Sequence, residues 1–450
     1  MKIPESPPEY ESLLAKLADA DREAWIRLIA ASSAVDPKGR YLHWDEMKRR
    51  TPPADLTHEQ WWFGTTMARR AFSRPLPLVG VDDKPFTYSN IDYILEMVHR
   101  VDQQASGQIL ADDVVTNLRS SDRYLVSSLV EEAITSSQLE GASTTRRVAK
   151  ELLRTGRRPR DRSEQMILNN YRAMLAAEEL AATGDKLTVE AVCELHRLVT
   201  EEALDDPSDA GRIQGPGEDR IAVHWHDDKI LHRPPPAEQL PGRLERLCEF
   251  ANGDLSDGFI HPVVRAIVTH FWLAYDHPFV DGNGRTARAL FYWSMLQSGY
   301  WLTQYISISS ILRKAPAKYA RSYLHVETDR NDLTYFIVYQ LTVIDRAIES
   351  LREYLSRKVA ETRRLETQLR GSAVLNHRQL VVVGDALRDP TEQFTIQAHS
   401  RRHSVTYQSA RTDLLRLVEL GLFRKTKSGK KYVFWSEPDL PSRLEALEAA

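Results

Sequence analysis

The chain has little cysteine: two residues in 450, Cys193 and Cys248. Two thiols make neither a disulfide framework nor a thiolate zinc site. Both sit in helical apolar patterns and read as small buried hydrophobes. Long apolar runs are missing as well. None approaches the roughly 18–20 residues of a membrane span, so no membrane partner is expected. The start, MKIPESPPEYES, has no apolar stretch behind a basic segment, which argues against a secretory leader. These absences point to a cytoplasmic protein. No internal repeat is found, and the only biased segment is an Ala/Glu-rich tail.

What is present is ordinary globular material, 42% hydrophobic and 27% charged, in a chain long enough for two or three cores. The net charge of −3 is unevenly spread. Ser372 to Ser436 holds eleven Lys and Arg against five Asp and Glu, a net +6 that leaves −9 for the remainder. That contrast marks a separate C-terminal module suited to phosphates.

Along the chain, helical spacing dominates. The first hundred or so residues read as helices broken by proline, with Thr57 capping a helix three residues before Gln60 and Trp61-Trp62 packing it. A helix is expected from Asp122, carrying Leu125, Leu129, Val130, Ile134 and Leu139 at helical intervals. Thr188 and Pro236 look like later helix starts. Between them, near Ile221 to His232, two short alternating runs flank Asp227-Asp228 and predict a β-hairpin. His224, His226 and His232 have no Cys or carboxylate at ligand spacing and read as surface residues of that hairpin. A charged helix with an apolar stripe through Ile348, Leu351, Leu355 and Val359 connects to the last module. There the order is helix, helix, helix, hairpin, with the hairpin turning at Ser428-Gly429, which is the winged helix-turn-helix arrangement. The expected divisions are an N-terminal helical region (1–121), a central domain (122–345) opening on helix 122–141, a connecting helix (346–371), the C-terminal module (372–437) and the tail (438–450).

The chemistry is concentrated in HPFVDGNGRTAR, His277 to Arg288. Two glycines ahead of a strong helix let backbone N–H groups converge at a helix N-terminus, an anion cradle. Asn283, between Gly282 and Gly284, can add a side-chain donor. Arg285 and Arg288, three apart, share a helix face and fork onto phosphate oxygens. Two arginines above one cradle suggest a polyphosphate. Asp281, just before the cradle, is suited to hold Mg²⁺ with water and phosphate oxygens completing the shell. His277 has no metal-ligand partner at zinc spacing and is placed to accept a hydroxyl proton as a general base. Phe279 anchors the loop. A second stretch, SSQLEG at Ser136 to Gly141, is weak alone: Glu140 before a helix-stopping Gly141 is usually just solvated.

HPFVDGNGRTAR matches the signature of the Fic (Fic/Doc, or Fido) family at every defining position, and the resemblance extends over about Asp122 to Ile344. It implies a mainly α, Fido-type helical core with a β-hairpin flap, here followed by the winged helix-turn-helix. It also implies a protein adenylyltransferase that moves AMP from ATP to a Ser, Thr or Tyr hydroxyl of a target protein. By resemblance His277 is the base and Asp281 the Mg²⁺ ligand. Gly282, Asn283 and Gly284 cradle the α- and β-phosphates, and Arg285 and Arg288 hold the outer ones. Doc-type kinases carry Lys where Gly284 stands, so attack at the α-phosphorus is the expected orientation. SSQLEG then matches the family's inhibitory helix motif, with Ser136, Glu140 and Gly141 at its fixed positions. A carboxylate pairing with Arg288 takes the γ-phosphate's partner and repels the nucleotide.

In the resemblance the hairpin edge pairs with a target's backbone. In the C-terminal module Arg401, Arg402, Tyr407, Gln408, Ser409 and Arg411, with Lys427, Lys430 and Lys431 in the wing, lie where duplex DNA would be met, and a homodimer would present two such faces. Two alternatives stand beside AMP transfer: a DNA-binding regulator whose core senses nucleotide, and a related enzyme that removes AMP from modified targets. The Trp-rich N-terminal helices carry no chemical motif and are assigned packing or regulation.

Overall fold

The structure is a computed structural model describing all residues except 1, 18–21, 54, 107–117, 225–229, 256–257, 371–373, 389–391, 429–430 and 449–450. Asp227-Asp228, His226, Gly429 and Lys430 therefore lie outside the described residues, as do the side chains of Leu125, His224 and Val359. The fold is mainly helical. It divides into one unit of residues 1–108 and 128–348 and another of 109–127 and 349–450.

The first unit is built around the helix Asn283–Gln297. It is apolar on nearly every side, from Ala287 through Phe291 and Trp293 to Met295, so it can only be a central helix. It packs against the helices Pro262–Asp276, Arg162–Thr183 and Val189–Thr200. Thr188 caps the last of these through the Ala191 N–H. Pro236 precedes a short 3-10 turn, Ala237–Gln239, that leads into the helix Leu240–Asn252. The helix expected from Asp122 begins at Leu118 and runs to Leu139. Its Val130 and Ile134 are buried against Ala149 and Ile167.

Near the N-terminus, Thr57 and Gln60 form the reciprocal cap expected, and Trp61 and Trp62 are buried in a cluster with Leu13, Leu28 and Trp44. The all-helical reading of this region needs one correction. Ser73–Val79 and Pro85–Ser89 are antiparallel strands. Leu76, Leu78, Phe86 and Tyr88 bury alternate positions, and Asp83 turns the chain at φ +57°.

In the second unit the helices His377–Arg388, Ile396–His403 and Tyr407–Glu419 come in the expected order. Phe423–Ser428 and Lys431–Ser436 pair antiparallel, with Phe394–Thr395 added on the far side of the latter. Residues after 437 are not a featureless tail. Leu440–Glu448 is a helix whose Leu440 and Leu444 complete this unit's core. The boundary expected at 345/346 falls inside one continuous helix, Thr334–Arg370.

Candidate functional site

The helix Pro262–Asp276 ends at His277, which adopts a left-handed conformation (φ +49°) and turns the chain sharply. Its N–H donates to Leu273 O at 2.9 Å, and its Nδ1 lies 3.3 Å from Ala274 O. A carbonyl only accepts, so Nδ1 carries the proton and Nε2 keeps its lone pair. Burial holds the imidazole down to about 4, with the Ala274 carbonyl opposing it. His277 is thus neutral at neutral pH.

The loop to the next helix is tied by side chains within and outside the motif. Asn283 is buried and closes the loop on itself: its Oδ1 accepts from Phe279 N at 3.0 Å and its Nδ2 donates to Phe279 O at 2.7 Å. This differs from the expected anion donor, because the short span from Phe279 brings both backbone groups of that residue onto the amide. Phe279 is fully buried, as expected. His196 was not singled out from the sequence. Its ring stacks on Phe279 with centroids 3.7 Å apart and planes 3° apart. Its Nδ1 accepts from Gly211 N at 2.9 Å, so Nε2 donates to Asp281 O at 2.8 Å. Gly282 has φ +84°, and a Cβ there would meet Thr200 at 2.7 Å and His196 at 3.3 Å. No other residue fits that corner.

The helix Asn283–Gln297 starts with no side-chain cap. Its first intrahelical bond is Thr286 N to Gly282 O, so the N–H groups of the first turn open toward the site. Asp281 stands at its mouth. Oδ1 accepts from Gly282 N at 2.5 Å and lies 3.4 Å from Arg285 Nη2, while Oδ2 is 3.5 Å from Arg162 on a neighbouring helix. The Asp281 side chain is half-exposed, and among the described residues Oδ2 has a single distant cation. That donor set fits a hard cation that keeps most of its own water.

Arg285 and Arg288 are both buried. Arg285 donates to Val199 O at 3.0 Å, its Nε has no partner among the described residues, and burial lowers its pKa. Arg288 is held from the helix Leu118–Leu139. Its Nε donates to Ser136 Oγ at 2.8 Å, and its Nη2 donates to Ser136 O at 3.2 Å and to Glu140 Oε1 at 2.8 Å. Burial disfavours that charge, but Glu140, with Tyr319 and Glu132, outweighs it, so the Arg288 pKa is raised. Gly141, at φ +95°, ends the helix and leaves Glu140 just beyond it. The carboxylate lies against Gly284, where an added Cβ would collide with it and come within 3.2 Å of Arg288 Nη1. Ser136 and Glu140 are thereby brought onto the same guanidinium at the mouth of the motif helix.

The same helix is anchored by Glu132, also missed in the sequence. Its buried carboxylate accepts from Ser307 Oγ at 2.7 Å, and from Ser309 N at 3.1 Å and Oγ at 2.5 Å. The antiparallel strands Val223–His224 and Ile230–His232 pair at the expected hairpin. His232 is a correction to the surface reading. It is buried, with Nε2 2.7 Å from Tyr275 O and Nδ1 3.0 Å from Glu327 Oε2. Glu327 lies 95 residues away in sequence, out of reach of any local spacing rule.

Residues 186–295 match the model of the Fic/DOC family. The protein adenylyltransferase fic-1 of Caenorhabditis elegans is 30% identical over 145 residues, 32% of this chain and 26% of that protein. The protein adenylyltransferase Fic of Nematostella vectensis is 31% identical over 121 residues, 27% of this chain and 26% of that one. The chain spans about a quarter of the length of these relatives. A solved Fic family protein from Desulfovibrio desulfuricans G20 is similar in fold. It has a TM-score of 0.51 at 16% identity, covering 78% of this chain and 98% of that one.

Proposed function

From the premise that the chain carries a Fic/DOC family domain, we propose that it is a protein adenylyltransferase moving AMP from ATP to a Ser, Thr or Tyr hydroxyl of a target protein. The observation that carries this is the tautomer of His277. With Nδ1–H donated to Ala274 O, Nε2 keeps its lone pair as the basic nitrogen, six residues ahead of a helix bearing two buried arginines. The hydroxyl oxygen attacks the α-phosphorus, its proton passes to His277 Nε2, and the bond from that phosphorus to the pyrophosphate oxygen breaks. The N–H groups of Asn283 and Gly284, at the uncapped start of the helix, and the guanidinium of Arg285 take the phosphate charge. In this reading Asp281 would hold Mg²⁺, which when bound would neutralise charge on the polyphosphate.

Glu140 is proposed as a built-in inhibitor. It occupies Arg288 and the space over Gly284, so the outer phosphates lose their cation and meet a carboxylate instead. The test is labelling with α-³²P ATP and Mg²⁺. Label on protein is expected to be weak in the natural chain, strong in Glu140→Gly and absent in Glu140→Gly/His277→Ala. Label persisting without His277 would remove the base assignment.

The C-terminal unit supports a second, additional reading as a winged helix-turn-helix that meets duplex DNA. Arg401, Arg411, Lys427 and Lys431 are all exposed there, around the helix Tyr407–Glu419 and the hairpin after it. Arg402 is instead paired with Asp385. Filter binding to duplex DNA, with a salt slope that does not change in Arg401→Ala/Arg411→Ala, would remove this reading.

A further inference from the structure

The last four carbonyls of an α-helix have no partner within the helix. In the helix Pro262–Asp276 every one of them is taken. Leu273 O accepts from His277 N and Ala274 O from His277 Nδ1, so two are satisfied by the histidine itself. The other two are satisfied from the hairpin. His232 Nε2 lies 2.7 Å from Tyr275 O, and Arg220 Nη2 donates to Asp276 O at 2.7 Å and to His277 O at 2.9 Å.

Arg220 and His232 occupy the same end of that hairpin. Arg220 lies three residues before the first strand, and His232 is the cross-strand partner of Val223. Each is fixed on its other side. Arg220 Nε donates to Pro235 O at 2.7 Å, and its Nη1 reaches Gln214, whose own N–H donates to Pro278 O at 2.9 Å. His232 Nδ1 is 3.0 Å from Glu327. Both ring nitrogens of His232 are thus held by oxygen atoms, one from the helix end and one from Glu327. The Arg220 guanidinium at the helix C-terminus is also favoured by the helix dipole.

We propose that Arg220 and His232 are positioning residues that clamp the base of the hairpin to the backbone of His277, so that a target strand added to the hairpin is placed in register with the base. This rests on the AMP-transfer reading above. Two physical points make the clamp necessary. A left-handed non-glycine residue such as His277 is strained and persists only where its surroundings over-determine it. Proton transfer is also intolerant of misplacement, a shift of about 1 Å costing on the order of a hundredfold in rate. The nucleotide side of the site, from Gly282 to Arg288, makes none of these contacts. The clamp therefore acts on the attacking hydroxyl and the base, and leaves nucleotide binding alone.

Two measurements on the full chain test it. The first is amide hydrogen exchange in Arg220→Gln against the unaltered protein. Peptides covering Leu273–His277 and Ile230–His232 are expected to exchange about tenfold faster together, with the helix Asn283–Gln297 unchanged. Unchanged exchange at Leu273–His277 would overturn the clamp whatever the enzymatic activity. The second is self-labelling with α-³²P ATP in the Glu140→Gly background, alongside titration with a fluorescent ATP analogue. Arg220→Gln is expected to lower the labelling rate at saturating ATP at least tenfold while analogue affinity stays within twofold, and Arg220→Lys to restore part of the rate. Equal losses of rate and analogue affinity would mean general damage and overturn the proposal. If Glu140→Gly takes no label at all, it is the AMP-transfer reading that fails, and the exchange experiment alone decides the clamp.

Discussion

Replacing Glu140 with glycine is the perturbation whose size the structure best defines. The carboxylate accepts a hydrogen bond of 2.8 Å from a guanidinium that is 1% exposed, while its own side chain is 31% exposed. A hydrogen bond to a charged group contributes ~1.5–3 kcal/mol, and each 1.4 kcal/mol is a factor of about ten. Freeing Arg288 should therefore raise the productive use of ATP by about ten- to a hundredfold. Glu140→Gln separates two contributions. It leaves an amide of the same size over Gly284 but removes the repelling charge, so an increase smaller than that of Glu140→Gly is expected. The natural chain and both variants would be compared by initial rates of label transfer from α-³²P ATP. Thermal unfolding of each would show that the fold is kept. Arg288 retains its bonds to Ser136 Oγ and O, so the loss of stability should stay within the same ~1.5–3 kcal/mol. A Glu140→Gly protein that unfolds normally and labels no faster than the natural chain would refute the reasoning.

Three further outcomes are expected. In Glu140→Gly the labelling rate should be flat from pH 6 to 8 and fall only toward pH 4. Burial depresses the His277 pKa to about 4, so its base form is lost only as pH drops through that value; an acid limb near 6.5 would contradict this. Asp281→Asn should raise the Mg²⁺ concentration for half-maximal labelling at least tenfold, because an amide keeps the shape but not the charge a hard cation requires; an unchanged Mg²⁺ titration would remove Asp281 from that role. His196→Phe keeps an aromatic ring against Phe279 but leaves Gly211 N and Asp281 O without their partner. A stability loss of about 1–3 kcal/mol is expected, read as a lowered midpoint in thermal unfolding.

The motif could be read because its chemistry is packed into twelve consecutive residues whose types have few joint explanations. Helix starts were legible for the same local reason: Thr57 and Thr188 reach donors only three residues ahead. What the sequence hid depends on distance. His196 meets Asp281 across 85 residues and Arg220 meets His277 across 57, and no spacing rule links such pairs. His232 alternates as a surface residue would, since a strand's period says which face a side chain takes but not what covers that face. Two misses were avoidable. Leu76, Leu78, Phe86 and Tyr88 alternate around Gly80 and Asp82-Asp83, a hairpin signal overlooked beside strong helices. Leu440 and Leu444 are four apart in the Ala/Glu-rich stretch, the spacing of a helix face rather than of an unstructured tail.

Glu140 itself shows why a motif weak in isolation gains meaning from a partner. It lies one residue beyond a 22-residue helix, where the dipole presents partial negative charge and disfavours a carboxylate by a few tenths to 1 kcal/mol. Nothing local supports it there. Its Oε1 bonds Arg288, a cation held in place from behind by Ser136 of the same helix. The grip is lopsided. Glu132 and Ser136 fix the helix through buried bonds to Ser307, Ser309 and Arg288, whereas Glu140 holds on by one partly exposed contact. In the proposed inhibition that asymmetry would let the carboxylate release Arg288 while the helix stays anchored, and the dipole behind it would lower the cost of leaving.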